Sequence, residues 1–397
     1  MILRNEYLEQ LISFKDKNII KVVTGIRRSG KSTLLELFKQ YLYKNGVEDN
    51  QIISINFEDP DFEGINSYNK LYNYVKSKLQ NNKQTYIILD EIQNVKDYQK
   101  AIDGLYIKPN TDIYITGSNA YFMSGELATL LSGRYVEIEM LPLSFKEYLS
   151  AFAEKGDLVQ KYREYIENSS FPYVLQLNNN RNQIRNYLGS IYDSVILKDV
   201  VKRKNIADVS MLESIIKFMF DNIGNLTSPN KISSTMTSKG RKISNHTVET
   251  YLTALTESLI LYKVDRYDIK GKEYLETNSK YYLVDIGLRY YLLGSKYVDM
   301  GHVLENIVYL ELKRRGYNIY VGKIGNTEVD FAAIKDGNAE YYQVAYTVAE
   351  KDTLERELTP LNQIKDHNPK FLLTMDNVPN VNHDGIKQIY ALDWLQS

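Results

Sequence analysis

The run of apolar segments over residues 19–140 predicts an α/β fold built on a parallel sheet, and two observations predict it. Short β-branched runs alternate with stretches of helical period, the pattern of strands buried on both faces. Three of those runs, 19–24, 85–89 and 112–116, each end on glycine or polar residues, at the strand ends where open α/β sheets gather ligands. The rest of the chain predicts a helical lid, a winged helix-turn-helix and a C-terminal α/β domain.

The first run, IIKVVT, leads into Gly25-Ile26-Arg27-Arg28-Ser29-Gly30-Lys31-Ser32 and then a helical pattern from Thr33. This is the phosphate loop GxxxxGK[ST] in its strand-before, helix-after context. Its glycines let successive N–H groups curl around a phosphate, and the helix N-terminus adds its dipole. Gly25, Arg28, Ser29, Gly30, Lys31, Ser32 and Thr33 are therefore the expected nucleotide contacts. Lys31 would reach the β- and γ-phosphates, and Ser32 would ligate Mg2+.

The second run, TYIIL, ends in Asp90-Glu91. An apolar strand followed by two acids is common alone, but downstream of a phosphate loop it predicts a Walker B site. Asp90 would hold Mg2+, and Glu91 would polarise the attacking water of ATP hydrolysis. The third run, DIYIT, ends in Gly117-Ser118-Asn119, where Asn119 or Ser118 would position that water or sense the γ-phosphate. Gly133-Arg134 precedes a further strand, Tyr135 to Met140. Two readings stay open for Arg134: an arginine finger reaching a neighbouring subunit, or a surface arginine.

These residues, in this order, resemble an AAA-type ATPase. More narrowly, TGIRRSGKSTLL, ILDEIQNV, ITGSNA, LLSGRY and LPLSFKEYL together resemble one prokaryotic family of AAA ATPases over nearly the whole chain. That resemblance implies an ATP- and Mg2+-binding core at 1–145 and a C-terminal domain related to the restriction-endonuclease fold. It also implies a lid at 146–205, where Phe145, Tyr148, Leu149 and Phe152 have helical spacing and Arg163, Arg181 and Arg185 are available to sense nucleotide. The family's Gly-Gly before Phe171-Pro172 is Ser169-Ser170 here.

Residues 206–280 predict three helices and a hairpin, the outline of a winged helix-turn-helix. Leu212, Ile215, Ile216 and Met219 form one apolar stripe, Ser228-Pro229 opens a second helix, and Ser244-Asn245 opens a third. In that fold the start of the third helix enters a DNA major groove. Lys239, Arg241, Lys242, Asn245 and His246 are the expected contacts, with Lys198, Lys202, Arg203 and Lys204 extending the positive region. Docking to a protein is the other reading.

From 281 the pattern resembles a PD-(D/E)xK nuclease domain. Glu305 on a helix and Asp330 on a strand fit its first two acids. The third position reads Gln343-Val344-Ala345, so a glutamine replaces an acid and an alanine replaces the lysine. Glutamine ligates a metal weakly and alanine cannot assist water, so the expectation is a vestigial site of Glu305, Asp330 and Gln343 without hydrolysis.

Composition narrows the chemistry. The chain has no cysteine, which excludes disulfides, thiolate zinc sites and cysteine nucleophiles. Its 49 basic and 50 acidic residues sum to near neutrality. By segment, however, 197–280 carries 14 basic and 10 acidic residues, and 281–397 carries 12 and 16. No signal-peptide core and no bilayer-length apolar run is present, so a cytoplasmic protein without membrane contact is expected. The leading expectation is an AAA ATPase that hydrolyses Mg-ATP to drive or gate a DNA- or protein-interacting module, with homo-oligomers compatible. A non-hydrolysing ATP switch is the alternative, and an ATP-gated nuclease is disfavoured by Gln343 and Ala345.

Overall fold

A computed structural model describes residues 2–80, 82–118, 131, 133–154, 156–194, 200–201, 206–295, 299–379 and 381–397. Asn119, most of the expected helix at 125–132, and Lys198, Lys202, Arg203 and Lys204 lie outside the described residues. The chain divides into two compact units, 1–142 with 257–259, and 143–256 with 260–397.

The first unit is an α/β layer structure. Its helices are α1 (Asn5–Ser13), α2 (Lys31–Lys44), α3 (Tyr68–Lys78) and α4 (Tyr98–Tyr106). Its strands are β1 (Ile20–Thr24), β2 (Ile52–Asn56), β3 (Thr85–Asp90), β4 (Thr111–Gly117) and β5 (Tyr135–Glu139), all parallel in the order β2-β3-β4-β1-β5. β1 and β3 are buried at every residue, because helices cover both faces. Leu71, Val75, Ala101, Ile102 and Leu105 pack one face, and Tyr7, Leu11, Leu34, Phe38 and Leu42 pack the other. Because β1 lies between β4 and β5 rather than beside β2, the loop after β1 opens at a topological switch point.

In the second unit α5 (Phe145–Leu149), α6 (Leu158–Asn168) and α7 (Arg181–Ile191) form a helical layer whose Phe145, Tyr148, Tyr162 and Tyr165 pack ring against ring. The Ser169-Ser170 corner has a specific use here. Ser169 takes φ 100°, and the Ser170 N–H and hydroxyl both donate to Asp285 at 2.7 Å. Asp285 in turn caps α11 (Ile286–Leu293) through the Leu288 N–H. A glycine could make the turn but could not supply the hydroxyl donor.

Three further helices follow: α8 (Val209–Asp221), α9 (Pro229–Ser238) and α10 (Asn245–Glu257). Ser228 and Ser244 accept first-turn N–H groups at the starts of α9 and α10. The hairpin β6 (Leu261–Asp268) and β7 (Glu273–Leu283) then joins a mixed eight-stranded sheet. With α12 (Met300–Arg314), β8 (Asn318–Ile324), β9 (Thr327–Lys335), β10 (Asn338–Ala345), α13 (Lys351–Gln363), β11 (Lys370–Thr374), β12 (Val381–His383) and β13 (Ile386–Tyr390), the order is β12-β13-β11-β10-β9-β8-β6-β7. The hairpin expected as a separate wing is thus one edge of this sheet, and β7 runs through residue 280. The physical reason is its inner face: Tyr282 stacks on Tyr309 of α12 at 4.5 Å and meets Phe331 of β9.

One polar pair sits inside the first unit. Lys21 of β1 is ion-paired with Asp112 of β4, both side chains essentially inaccessible. The second Asp112 oxygen accepts from the Tyr114 hydroxyl and the Asp16 N–H, each at 2.9 Å. Burial lowers the Lys21 pKa and raises that of Asp112, each opposed by the other's charge. Removing one member strands a buried charge, so Asp112→Ala should cost about 3–5 kcal/mol in urea unfolding. The double change Lys21→Met/Asp112→Leu should cost much less, and equal losses would refute this account of the pair.

Candidate functional site

The phosphate loop is shaped by two glycines and held by an arginine that no motif pointed to. Gly25 takes φ 148°, and a Cβ there would lie 2.3 Å from the Met140 carbonyl oxygen. Gly30 takes φ 104° immediately before α2, and Arg28 also lies in the left-handed region. Arg4, buried ahead of α1, donates to the Ser29 carbonyl at 3.0 Å and to the Leu141 carbonyl at 2.7 Å. It thereby ties the loop to the chain just after β5. The Ser29 hydroxyl is buried without a hydrogen-bond partner among the described residues. Thr33 is exposed in the first turn of α2, where N–H groups have no intrahelical acceptor.

Lys31, at the start of α2, is buried and folds back over the loop. Its ammonium donates to the Gly25 carbonyl at 3.1 Å and lies 3.4 Å from Glu91. The parallel register of β3 with β4 brings Asp90 and Glu91 beside Thr116 and Ser118. The Thr116 hydroxyl donates to Asp90 at 2.5 Å and accepts from the Glu91 N–H at 2.8 Å. Ser32, in the first turn of α2, lowers the Asp90 pKa from the loop side. Ser118 and Gln93 donate to the two oxygens of the Glu91 carboxylate.

Glu91 itself has φ 52° and ψ 45°, a left-handed conformation that costs free energy in a non-glycine residue and clusters at functional sites. The charges of this group are tuned against burial. Burial drives the Lys31 pKa down, with Glu91 and Asp90 opposing. It raises the Asp90 pKa against the lowering by Ser32 and Thr116. At Glu91 burial also pushes upward, but Lys31, Ser118 and Gln93 outweigh it and hold the carboxyl below its ordinary value. Glu91 is therefore an ionised base at neutral pH, beside a cation and a second carboxylate.

This donor set fits a nucleotide with a divalent cation. The loop and the first turn of α2 carry the buried Lys31 ammonium, the buried Ser29 hydroxyl and the Ser32 hydroxyl, and Asp90 supplies a buried carboxyl at the end of β3. Asn119 lies outside the described residues, and Ser118 makes the contact to Glu91. Arg134 is elsewhere: its carbonyl accepts from the Ile20 N–H at 2.8 Å, at the start of β1. Its half-exposed guanidinium pairs with Asp103 and lies over Tyr106. The loop opens at the other end of β1, roughly 15 Å along the strand.

In the second unit, Lys239, Lys242, Asn245 and His246 are exposed near the start of α10. Asn245 donates to Asn230. Arg241 is engaged with α8, donating to the Ser210 carbonyl at 2.8 Å and to the hydroxyls of Ser210 and Ser214. Among the lid arginines, Arg185 stacks over Tyr291.

The three C-terminal residues do come together, around a residue that spacing could not reveal. Lys280 of β7 places its ammonium 2.8 Å from Glu305, 2.8 Å from Glu328 and 3.2 Å from Asp330. The Tyr282 hydroxyl donates to Glu305 at 2.6 Å. Gln343 accepts from the Asp330 N–H and donates to Glu357. Burial raises the Glu305 carboxyl to about 7, against the pull of Lys280. Lys280 is held well above its ordinary value, because its three carboxylates outweigh its burial. The only sequence signal was a lysine between Ser279 and Tyr281, at the start of the buried end of its strand.

Residues 17–149 match the AAA domain family, and residues 159–299 match a domain of unknown function (DUF8612). An uncharacterized protein of Haemophilus influenzae is 43% identical over 399 residues, covering 100% of this chain and 98% of its own. An uncharacterized protein of Methanocaldococcus jannaschii is 31% identical, covering 95% of this chain and 85% of its own. Among solved structures, a Walker-type ATPase of Pyrococcus abyssi is similar in fold, with a TM-score of 0.52 at 15% identity over 74% of this chain and 96% of that one.

The Arg4 clamp makes a separable prediction. Arg4→Met removes charge-assisted hydrogen bonds that hold the Ser29 carbonyl, without touching the phosphate-facing donors. Nucleotide affinity, measured by calorimetry, should fall about tenfold, the equivalent of one such bond. Unchanged affinity in a folded variant would show that the loop holds its shape without Arg4.

Proposed function

We propose that this chain, which belongs to one family with the uncharacterized proteins of Haemophilus influenzae and Methanocaldococcus jannaschii and carries an AAA domain at 17–149, is a Mg2+-dependent ATPase. Its turnover drives or gates the unit at 143–397. The observation that carries this reading is Glu91: a carboxyl held below its ordinary pKa by Lys31, Ser118 and Gln93, directly after Asp90, which accepts from Thr116 at the end of the neighbouring strand.

Each residue then has a task. Lys31 leaves the Gly25 carbonyl for the β- and γ-phosphates, whose charge replaces the lone pairs it now contacts. The N–H groups of the loop and of the first turn of α2 orient the phosphates. Ser32 and Asp90 are the oxygen donors for Mg2+, which when bound neutralises charge on the phosphates. Glu91 accepts a proton from the attacking water, and Ser118 keeps its carboxylate aimed. Because the αL backbone of Glu91 and its N–H bond to Thr116 fix the base relative to β4, a small movement of that strand end moves the base.

The three helices support the helix-turn-helix part of the 206–280 reading, with Lys239, Lys242, Asn245 and His246 toward duplex DNA and Arg241 bracing α8, while the hairpin that would be its wing is an edge of the eight-stranded sheet. The order α12, three strands, α13 and β11 supports a nuclease-like C-terminal domain. The substitution at Gln343-Val344-Ala345 supports its being non-hydrolytic.

Lys31→Ala should abolish ATP binding by calorimetry. Glu91→Gln should bind ATP yet lose turnover by about 100-fold or more, the usual worth of a general base. Turnover by the wild type should rise with duplex DNA, and that rise should shrink as salt increases. Tight ATP binding with negligible wild-type turnover, with or without DNA, would instead support a nucleotide switch.

The position of Arg134, away from its own loop, favours action on a neighbouring subunit. Mixing inactive Arg134→Ala and Lys31→Ala proteins should then restore part of the activity. If both variants assemble together and the mixture stays inactive, the finger assignment fails.

A further inference from the structure

The C-terminal acid cluster resembles an open metal site in sequence, yet its contacts describe a filled one. An ammonium has three N–H donors, and Lys280 has three carboxylates within 3.2 Å, from Glu305, Glu328 and Asp330. Two of those contacts, to Glu305 and Asp330, are hydrogen bonds, and Glu328 adds an ion pair at 2.8 Å. The 2.8 Å separation from Glu305 is that of a charge-assisted N–H···O bond, whereas oxygen ligands close to 2.0–2.1 Å around Mg2+. Among the described residues no group of three or more His, Cys, Asp or Glu has the geometry to hold a metal ion.

The surrounding groups are committed as well. The second Asp330 oxygen accepts from the Val344 N–H at 2.9 Å, and Glu305 accepts from Tyr282. Gln343, in place of the third acid, is engaged at both ends of its amide, with the Asp330 N–H and with Glu357. Access is not what excludes a cation. A cavity of about 700 Å3 reaches the cluster, and its lining includes Lys231, His302, Arg356 and Glu357.

We infer that Lys280 is a built-in replacement for the divalent cation of this site. Its ammonium stands where a metal would stand, supplies the positive charge that holds the three acids together, and keeps metal out. The lysine that a nuclease would use on water is thereby converted into a structural cation on a different strand. The C-terminal domain then keeps the shape of a hydrolytic site while using it as a closed, metal-independent scaffold. This inference does not depend on the ATPase reading.

The test is Mn2+ binding to the full-length protein without nucleotide, followed by electron paramagnetic resonance. Wild type and Asp330→Asn should bind the same amount of Mn2+. Lys280→Met should gain one site per chain, at least about tenfold tighter than any wild-type binding, and Lys280→Met/Asp330→Asn should lose it. Because Lys280→Met strands two buried acids, Glu305 and Asp330, beside the part-exposed Glu328, Lys280→Met/Glu305→Gln serves as a milder vacated site and should also gain Mn2+. Wild-type binding that disappears in Asp330→Asn would overturn the inference, as would folded vacated variants with no new site. Failure of both vacated variants to fold even in Mn2+ would also count against it, since a cation supplied to a metal position restores the charge balance.

Discussion

The first unit depends on one constraint, the parallel pairing of β1 between β4 and β5 with β3 on the far side of β4. Parallel strands deliver all their carboxyl ends to one edge. Lys31, Asp90, Glu91, Thr116 and Ser118 come from three chain segments, and they meet because the register sets Leu89 opposite Ile115 and Thr24 opposite Gly117. The same arrangement sends residues just ahead of the strands to the opposite edge, where Arg134 and the Lys21–Asp112 pair lie. The loop itself cannot shift along this edge, because Gly25 already sits against the Met140 carbonyl and Arg4 grips Ser29.

Two buried lysines show how partner number sets what a buried charge can do. Lys31 faces Glu91 at 3.4 Å and otherwise contacts neutral carbonyls, so burial wins and its pKa falls. Such an ammonium gains by exchanging carbonyls for phosphate oxygens. Lys280 faces three carboxylates, so attraction wins and its pKa rises. An ammonium held that way has nothing to gain by moving. The first is arranged to meet a ligand, and the second to stand in for one.

The second unit is knit together by contacts that cross its sequence segments. Asp285 receives Ser170 and caps α11, and a Cβ on Gly287 would come within 2.6 Å of Ser169. The β6–β7 hairpin is paired to β8, and Gly224 lets a loop pass His302 and Glu305 where a Cβ would collide at 2.8 Å with the imidazole.

Local pattern was enough for the phosphate loop, the Asp90-Glu91 strand end and the helix starts at Ser228 and Ser244. Each is written in adjacent residues, where steric permission at glycine, strand length and capping chemistry act over a single turn. Ser169-Ser170 was legible as a departure from glycine, but its meaning lay 115 residues away in Asp285. Arg4 and Lys280 were not legible, since their partners are up to 137 and 50 residues distant and nothing in their own neighbourhoods marks them. Glu305, Asp330 and Gln343 could be picked out by residue type alone. Whether the cation among them is a metal or a lysine depends on which strand edge packs against that helix, and packing is a property of the folded chain, set by the burial of Tyr282 against Tyr309 and Phe331.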